Sequence, residues 1–372
     1  MIDGGAVMKY DPPEQVTLLP NMIASRKGWF QYKNPAGWNF RLIHIIHILC
    51  NICDYLRWFF LHKRSKPSQQ LLDKHLPAVE EVQLHKLKEP PADGIQILWI
   101  GHATLLVQIE GYNIITDPVF GNFCGPNRWM GYSRFRPPSV TIEDLKNKVG
   151  IEIHAVVVSH NHYDHLDEDS VQELVNLYGN MIQWFVPKGM KDWFESRGCT
   201  SVTHMDWWDK EQMHSRPDKS TPPTVTFTPA KHWSGRGIWN YYCRHLWGSW
   251  LICGEKSVFY FAGDTGYAAD VFDQIKRVAG QIDVAAIPIG AYKPRSVMKA
   301  QHVDPYEAVR IHKELGATTS IGIHWGTFAL SNEEIHEPVK DLTKAKEEAG
   351  VSLTDFIVMN HGEVKSFPIQ QK

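Results

Sequence analysis

Cysteine is scarce in this chain: six residues in 372, at 50, 53, 124, 199, 243 and 253. They have neither the density nor the regular spacing of a disulfide-stapled secreted domain and read as reduced thiols. Cys50 and Cys53 form a C-x-x-C, but inside an apolar helical run, which favours two core thiols over a redox or zinc pair. Residues 1–21 are polar and proline-bearing and lack the charged, apolar, then small order of a secretory signal. The expectation is an intracellular protein that is not secreted. An excess of either charge is also missing, since 39 Lys and Arg face 41 Asp and Glu for a formal net charge of −2. That balance removes the basic footprint of a dedicated nucleic-acid binder. No short repeat and no low-complexity tract occurs. An apolar fraction of 43%, with 12% aromatics, supplies a core and excludes overall disorder.

The chain divides by character into an extension, residues 1–92, and a body, residues 93–372. Within the extension, residues 41–61 (RLIHIIHILCNICDYLRWFFL) approach the length of a membrane span. At helical spacing Leu42, Ile45, Ile46, Leu49, Ile52, Leu56, Phe59 and Phe60 share one broad face, and His44, His47, Asn51, Asp54 and Arg57 a narrow polar stripe. Asp54 and Arg57 each disfavour a spanning position by roughly 2.5 to 3.5 kcal/mol, whereas a helix lying flat keeps both in water. His62, Lys63, Arg64 and Lys66 follow, a cluster suited to anionic headgroups. The segment therefore reads as an amphipathic helix for peripheral contact with cytosolic membrane faces. The competing reading packs it on the body or on a second subunit.

From Gly94 onward short β-rich runs end in polar turns: IQILWI, TLLVQIEG, YNIITDP, AVVVSH, IQWFVP, TVTFTPAKH, SVFYFAGD, VAAIPIG and TSIGIHWG. Helical patterns lie between some of them, over 168–177, 269–278, 305–315 and 333–348. Hairpins first, then strands alternating with helices, imply an α/β body of two sheets with helices outside.

Histidine is abundant, at nineteen residues, and it clusters. Directly after AVVVS comes His160-Asn161-His162-Tyr163-Asp164-His165, where four of six consecutive positions are metal-ligand types. In this H-x-H-x-D-H loop the first two imidazoles can reach one ion, and Asp164 and His165 a neighbouring one. Two complete shells need further donors, and later strand ends offer His232, Asp264 and His324. Taken singly, each is as readily a packing residue.

H-x-H-x-D-H followed by His, Asp and His resembles the metallo-β-lactamase superfamily. That resemblance implies a four-layer αββα sandwich with two zinc ions at one rim. It assigns His160, His162 and His232 to one ion and Asp164, His165 and His324 to the other, with Asp264 bridging. The runs WIGHATLLVQ, TDPVF, SHNHYDHLD, DWW, TPAKHW, LWGSW, FAGDTGY, AAIPIGAY, QHVDPYEAVRIH and IHWGTFAL, spread over residues 34–361, are similar to the N-acyl phosphatidylethanolamine-hydrolysing phospholipases D. The family implies cleavage on the head-group side of a membrane phospholipid, release of N-acylethanolamine and phosphatidate, a metal-bridging hydroxide as nucleophile, and a homodimer. It further implies that Asp117, in TDP, orients a metal-bound imidazole, that Gln301 and His302, in QHVDP, donate to phosphate, and that Asp164 takes part in catalysis. Without the resemblance, Asp117 is a turn residue before Pro118, and Gln301 and His302 a loop end before a helix capped by Asp304.

Other chemistries lack their residues. No histidine has lysine two positions on, as a histidine-nucleophile phospholipase D needs, and no G-x-S-x-G occurs. The alternatives are a lactonase-like or small-phosphodiester hydrolase of the same superfamily, a catalytically silent lipid-binding protein, and a mononuclear iron oxygenase. His102, in GHAT, reads as support for the sheet rim. Lys293 and Arg295 are candidates to attract an anionic headgroup, and the tryptophans read mainly as core.

Overall fold

The computed structural model describes residues 67–76, 79–126, 131–216, 221–236 and 245–369. The expected helix over 41–61, its basic cluster, Cys50, Cys53, Trp239 and Cys243 lie outside them. Sixteen strands are described. They are β1 (Ile95–Gly101), β2 (Thr104–Ile109), β3 (Tyr112–Thr116), β4 (Phe123–Cys124), β5 (Tyr132–Ser133), β6 (Ala155–Val157), β7 (Gln183–Pro187) and β8 (Ser201–Met205). The chain continues with β9 (Lys210–Gln212), β10 (Thr224–Thr228), β11 (Ser249–Cys253), β12 (Val258–Phe261), β13 (Val284–Pro288), β14 (Thr319–Ile323), β15 (Phe356–Ile357) and β16 (Val364–Phe367).

Two seven-stranded sheets result, ordered β16-β1-β2-β3-β6-β7-β8 and β15-β14-β13-β12-β11-β10-β9. Each pairs antiparallel over its hairpin half and parallel over the half whose strands alternate with helices. The change follows from connection length, because a short turn returns the chain antiparallel and only a longer crossover restores direction.

Alternation along each strand of the first sheet builds two cores. Ile97, Trp99, Leu105, Val107, Ile114, Val157 and Phe185 face the second sheet and join Val225, Phe227, Trp250, Phe259 and Phe261 in one buried cluster. Leu98, Ile100, Leu106, Ile115, Val156 and Trp184 face the other way, onto Val171, Leu174 and Tyr178 of the helix Glu168–Tyr178. The helices Ala269–Ala279, Pro305–Leu315 and Glu337–Ala349 cover the outer face of the second sheet through Phe272, Ile275, Val309, Ile311 and Leu342. The body is thus the expected αββα sandwich. Trp247 and Trp250 are core, as read.

Three helices begin and end close to where the pattern puts them. Asp167 caps the first by accepting from Ser170 N, and Asp304 caps the third by accepting from Glu307 N, ahead of Pro305. The last was expected from 333 but starts at Glu337. The Glu333 carboxylate is instead turned to accept from the backbone N–H of Ala291, at 2.6 Å, and of Lys293, at 3.1 Å. Strands β4, β5, β8, β9, β11, β15 and β16 were not anticipated as strands. β4 and β5 form a two-stranded sheet of their own, β8, β9, β15 and β16 are sheet edges, and β11 begins at Ser249, directly after Gly248.

Strands β1, β3 and β6 run in one direction, as do β10, β12, β13 and β14, so the segments that follow them emerge at one rim. Close approach of the segments there, within the second sheet at Gly290 and between the sheets at Gly263, demands glycine. A Cβ on Gly290 would stand 2.1 Å from the His324 carbonyl oxygen, and one on Gly263, which has φ +57, 2.6 Å from Ser159 Cβ. Gly290→Ala is therefore expected to destabilise the fold by roughly 1–3 kcal/mol or more, since the clash is with backbone that cannot rotate away; thermal melting against wild type checks it.

Candidate metal centre at the sheet rim

Every candidate ligand lies at the end of a strand at that rim. Asp117 follows β3, the loop 159–166 follows β6, His232 lies beyond β10, Asp264 follows β12 and His324 follows β14. The fold brings all of them together. Asp264 stands in the middle, one carboxylate oxygen 3.1 Å from His165 Nε2, 3.7 Å from His232 Nε2, 3.9 Å from His160 Nε2 and 3.9 Å from His302 Nδ1. Its other oxygen is 3.1 Å from His324 Nε2. Asp164 lies 3.3 Å from His324 Nε2 and 3.5 Å from His165 Nε2. Two of the convergent groups are His160, His162, His232 with Asp264, and His102, Asp164, His165 with His324.

Hydrogen bonds behind the imidazoles set which nitrogen faces inward. Asp117 is wholly buried and accepts from Ser159 N (2.6 Å), Ser159 Oγ (2.6 Å) and His165 Nδ1 (2.6 Å). The Ser159 hydroxyl, having donated to Asp117, accepts from His160 Nδ1 at 2.9 Å. His232 Nδ1 donates to the Gln301 carbonyl at 2.9 Å. In all three rings Nδ1 carries the proton and Nε2 faces the interior, where His160 Nε2 stands 2.8 Å and His232 Nε2 3.3 Å from His162 Nδ1. Ser159 and the Gln301 carbonyl were not singled out in the sequence. The adjacency of Ser159 to His160 was the available signal; the role of the carbonyl had none.

Burial sets the electrostatics. It holds His160 and His162 well below the ordinary imidazole range, reinforced by the neighbouring imidazoles. It depresses His232 to about 4 and His302 to about 3. Burial would raise Asp164 and Asp264, but the surrounding imidazoles, His165 first, outweigh it and hold both carboxyls well below the carboxylate range. Burial pushes the Asp117 carboxyl up, against His165 and the Ser159 donors. His165 is raised, and His324 is raised to about 9, because the facing carboxylates, Asp264 first, overcome the burial that would lower them.

These residues suit a divalent ion. His165 Nε2, His324 Nε2 and Asp264 Oδ1 are buried without a hydrogen-bond partner where, among the described residues, metal-ligand atoms from six residues or more converge. Unpartnered polar atoms in an interior are costly, and a cation satisfies several at once. The donors are imidazole and carboxylate, with no thiolate, which fits zinc and equally other divalent first-row ions.

A cavity of about 310 Å³ opens beside this cluster. His162, Asp164, Asp264, Gln301, His302 and His324 line its polar side, and Tyr163, Trp233, Met298 and Leu330 its apolar side. Trp233 Nε1 donates to Gln301 Oε1 at 2.6 Å and the Gln301 NH₂ group donates to Met298 Sδ at 3.7 Å, which leaves one of its two hydrogens for another partner. Lys293 and Arg295 do not serve the cavity as free cations. Lys293 pairs with Glu337, and Arg295 with Asp304 (3.3 Å) and Glu307 (2.8 Å). His102 does more than support the rim, because its Nε2 is 2.9 Å from Asp164 Oδ2.

The chain is similar to several known proteins. A family model described as the beta-lactamase superfamily domain matches residues 112–325. The N-acyl-phosphatidylethanolamine-hydrolyzing phospholipase D 1 of Caenorhabditis elegans is 37% identical over 312 residues, covering 82% of this chain and 83% of its own. The mitochondrial N-acyl-phosphatidylethanolamine-hydrolyzing phospholipase D of Saccharomyces cerevisiae is 34% identical over 286 residues, 76% of this chain and 57% of that one. Among solved structures, the metallo hydrolase Igni18 of Ignicoccus hospitalis shares the fold at a TM-score of 0.53 and 22% identity, covering 74% of this chain and 99% of that one. The chain belongs to the beta-lactamase superfamily and, within it, to the family of N-acyl-phosphatidylethanolamine-hydrolyzing phospholipases D.

Proposed function

We propose that this protein is a metal-dependent phosphodiesterase of the phospholipase D type. It hydrolyses N-acyl phosphatidylethanolamine to N-acylethanolamine and phosphatidate with two zinc ions per chain. The observation that carries the reading is the position of Asp264, within 4 Å of imidazoles from both ligand groups beside a cavity lined on one side by apolar residues. The name and 37% identity of the Caenorhabditis elegans relative support the substrate.

We assign His160, His162 and His232 to one ion, Asp164, His165 and His324 to the other, and Asp264 to both. Bound there, such ions lower the pKa of water and neutralise charge that develops on phosphoryl oxygens. The chain's own part is orientation. Asp117, Ser159 and the Gln301 carbonyl fix the tautomer and tilt of three rings before substrate arrives. His302 and the Gln301 amide, on the cavity wall, donate to the phosphate. Overall one water is consumed: its oxygen ends on phosphorus, the bond from phosphorus to the ethanolamine oxygen breaks, and a proton ends on that oxygen.

The membrane-bound substrate gives the segment over 41–61 a use: lying flat, with its basic cluster toward anionic headgroups, it brings the body to a cytosolic membrane face. Among the described residues no helix is long and apolar enough to cross a membrane. We assign the protein a peripheral location and a homodimeric state, with residues 1–92 as the extension and 93–372 as the catalytic body.

Zinc quantification alongside product analysis on N-acylated vesicles tests the central claim; one iron per chain, or no N-acylethanolamine from fully zinc-loaded protein, would overturn it. His162→Ala and Asp264→Asn are expected to abolish turnover and reduce bound metal, measured on the same preparations. Asp117→Asn keeps the shape but loses acceptor capacity, and is expected to cost about 10–100-fold in activity with a smaller loss of metal. Removal of residues 1–60 is expected to lower hydrolysis of vesicles far more than of a short-chain soluble substrate. An equal loss on both would point to folding and not to lipid access.

A further inference from the structure

Among the residues of the rim, Asp164 is the most open of the carboxylates: its side chain is 15% exposed, against 2% for Asp264 and none for Asp117. A carboxylate on a cavity wall rotates unless something inside tethers it. Asp117 has three donors behind it. For Asp164 the tether is His102, whose Nε2 stands 2.9 Å from Oδ2. A carboxylate accepts only, so the proton of this bond sits on His102 Nε2.

The His102 ring is held through its backbone, its Nε2 and its ring neighbours, while its buried Nδ1 has no hydrogen-bond partner. Its backbone, at φ 56, is bound by three contacts: N–H to Thr327 Oγ1 (2.7 Å), and C=O from His324 N (3.1 Å) and from Trp99 Nε1 (3.1 Å). The ring packs 3.9 Å from that of His324 and edge-on to Phe328. The His102 side chain is 1% exposed. The same turn that carries His102 therefore also fixes the entry of His324. An oxygen that accepts one bond from His102 keeps a second lone pair, and Asp164 Oδ2 is the oxygen that lies near both His165 Nε2 and His324 Nε2.

We propose that His102 is a positioning residue for the Asp164, His165, His324 ligand group: through its Nε2–H it locks the Asp164 carboxylate in the rotation that presents Oδ2 to the metal, without coordinating the ion. The inference rests on the metal-site reading above and deepens it, since it predicts that the two ions of a chain depend differently on one residue outside the ligand set.

Cobalt titration of metal-stripped full-length protein, followed by visible absorption and by competition with a chelator, tests it. Asn at 102 tolerates the left-handed backbone but is too short to reach Asp164, whereas Gln has both an N–H donor and the reach. In His102→Asn one of the two cobalt equivalents is expected to weaken about 10–100-fold while the other is unchanged, with the saturated spectrum retained. His102→Gln is expected to recover part of the lost affinity. Two constants equal to wild type in His102→Asn would overturn the inference. So would a changed saturated spectrum in both variants, which marks a lost ligand. Imidazole ¹⁵N spectra of the zinc-loaded wild type need no variant that folds: a proton on His102 Nε2 is expected, and its absence overturns the proposal. If wild type bound no cobalt at all, the metal-site reading would fail with it, whereas unchanged constants in His102→Asn sink this inference alone.

Discussion

Three buried or nearly buried carboxylates at one sheet rim are the constraint around which the rest is arranged. Moving an ionised carboxylate out of water costs several kcal/mol even after relaxation, and Asp117, Asp164 and Asp264 lie within one small volume. Repulsion among them would add to that cost if nothing positive intervened. The surrounding imidazoles answer part of it by hydrogen bonding, as His165 Nδ1 does to Asp117 and His102 Nε2 to Asp164. The lone pairs left unpartnered answer the rest only when a cation sits among them. Charge balance, burial and the demand for a divalent ion are thus one requirement seen from three sides.

Meeting it bends the backbone. Of the described non-glycine residues with positive φ, His102, Asp117, Ala291 and His324 all border the site. Such conformations cost of order 1–3 kcal/mol each and persist only where the surroundings over-determine them. Here the surroundings are the double-sheet core and a set of rim bonds. Thr327 accepts from His102 N and donates no slack, Glu333 holds Ala291 and Lys293, and Trp99 stacks on Trp325 at 5.7 Å across the two sheets. The apolar interior stabilises a rim that local preference alone would not adopt.

Much of this is legible in the sequence. The H-x-H-x-D-H loop announces itself because ligands close in sequence need only a strand end to aim them, and strand ends at His232, Asp264 and His324 follow from apolar runs that stop abruptly. The helices over 168–178 and 305–315 were readable because Asp167, Asp304 and Pro305 mark their starts in the sequence itself. The late start of the helix Glu337–Ala349 was not readable, because Glu333 is claimed by backbone some forty residues earlier. Lys293 and Arg295 looked available for a headgroup for the same reason: their partners Glu337, Asp304 and Glu307 are neighbours in space, not in the run of residues that drew attention to them.

By itself the amino-acid order determined the donor types, their proximity to strand ends, and through these the kind of ion and chemistry the chain can support. These are properties of residue identity and of periodicities two to four residues long. Tertiary structure alone decided which nitrogen of each ring faces inward, that Gln301 spends its amide oxygen on Trp233, and that His102 reaches Asp164 instead of idling in a turn. Each of those outcomes depends on a contact between segments as much as 69 residues apart, and no local pattern encodes a hydrogen bond whose partner arrives from another strand.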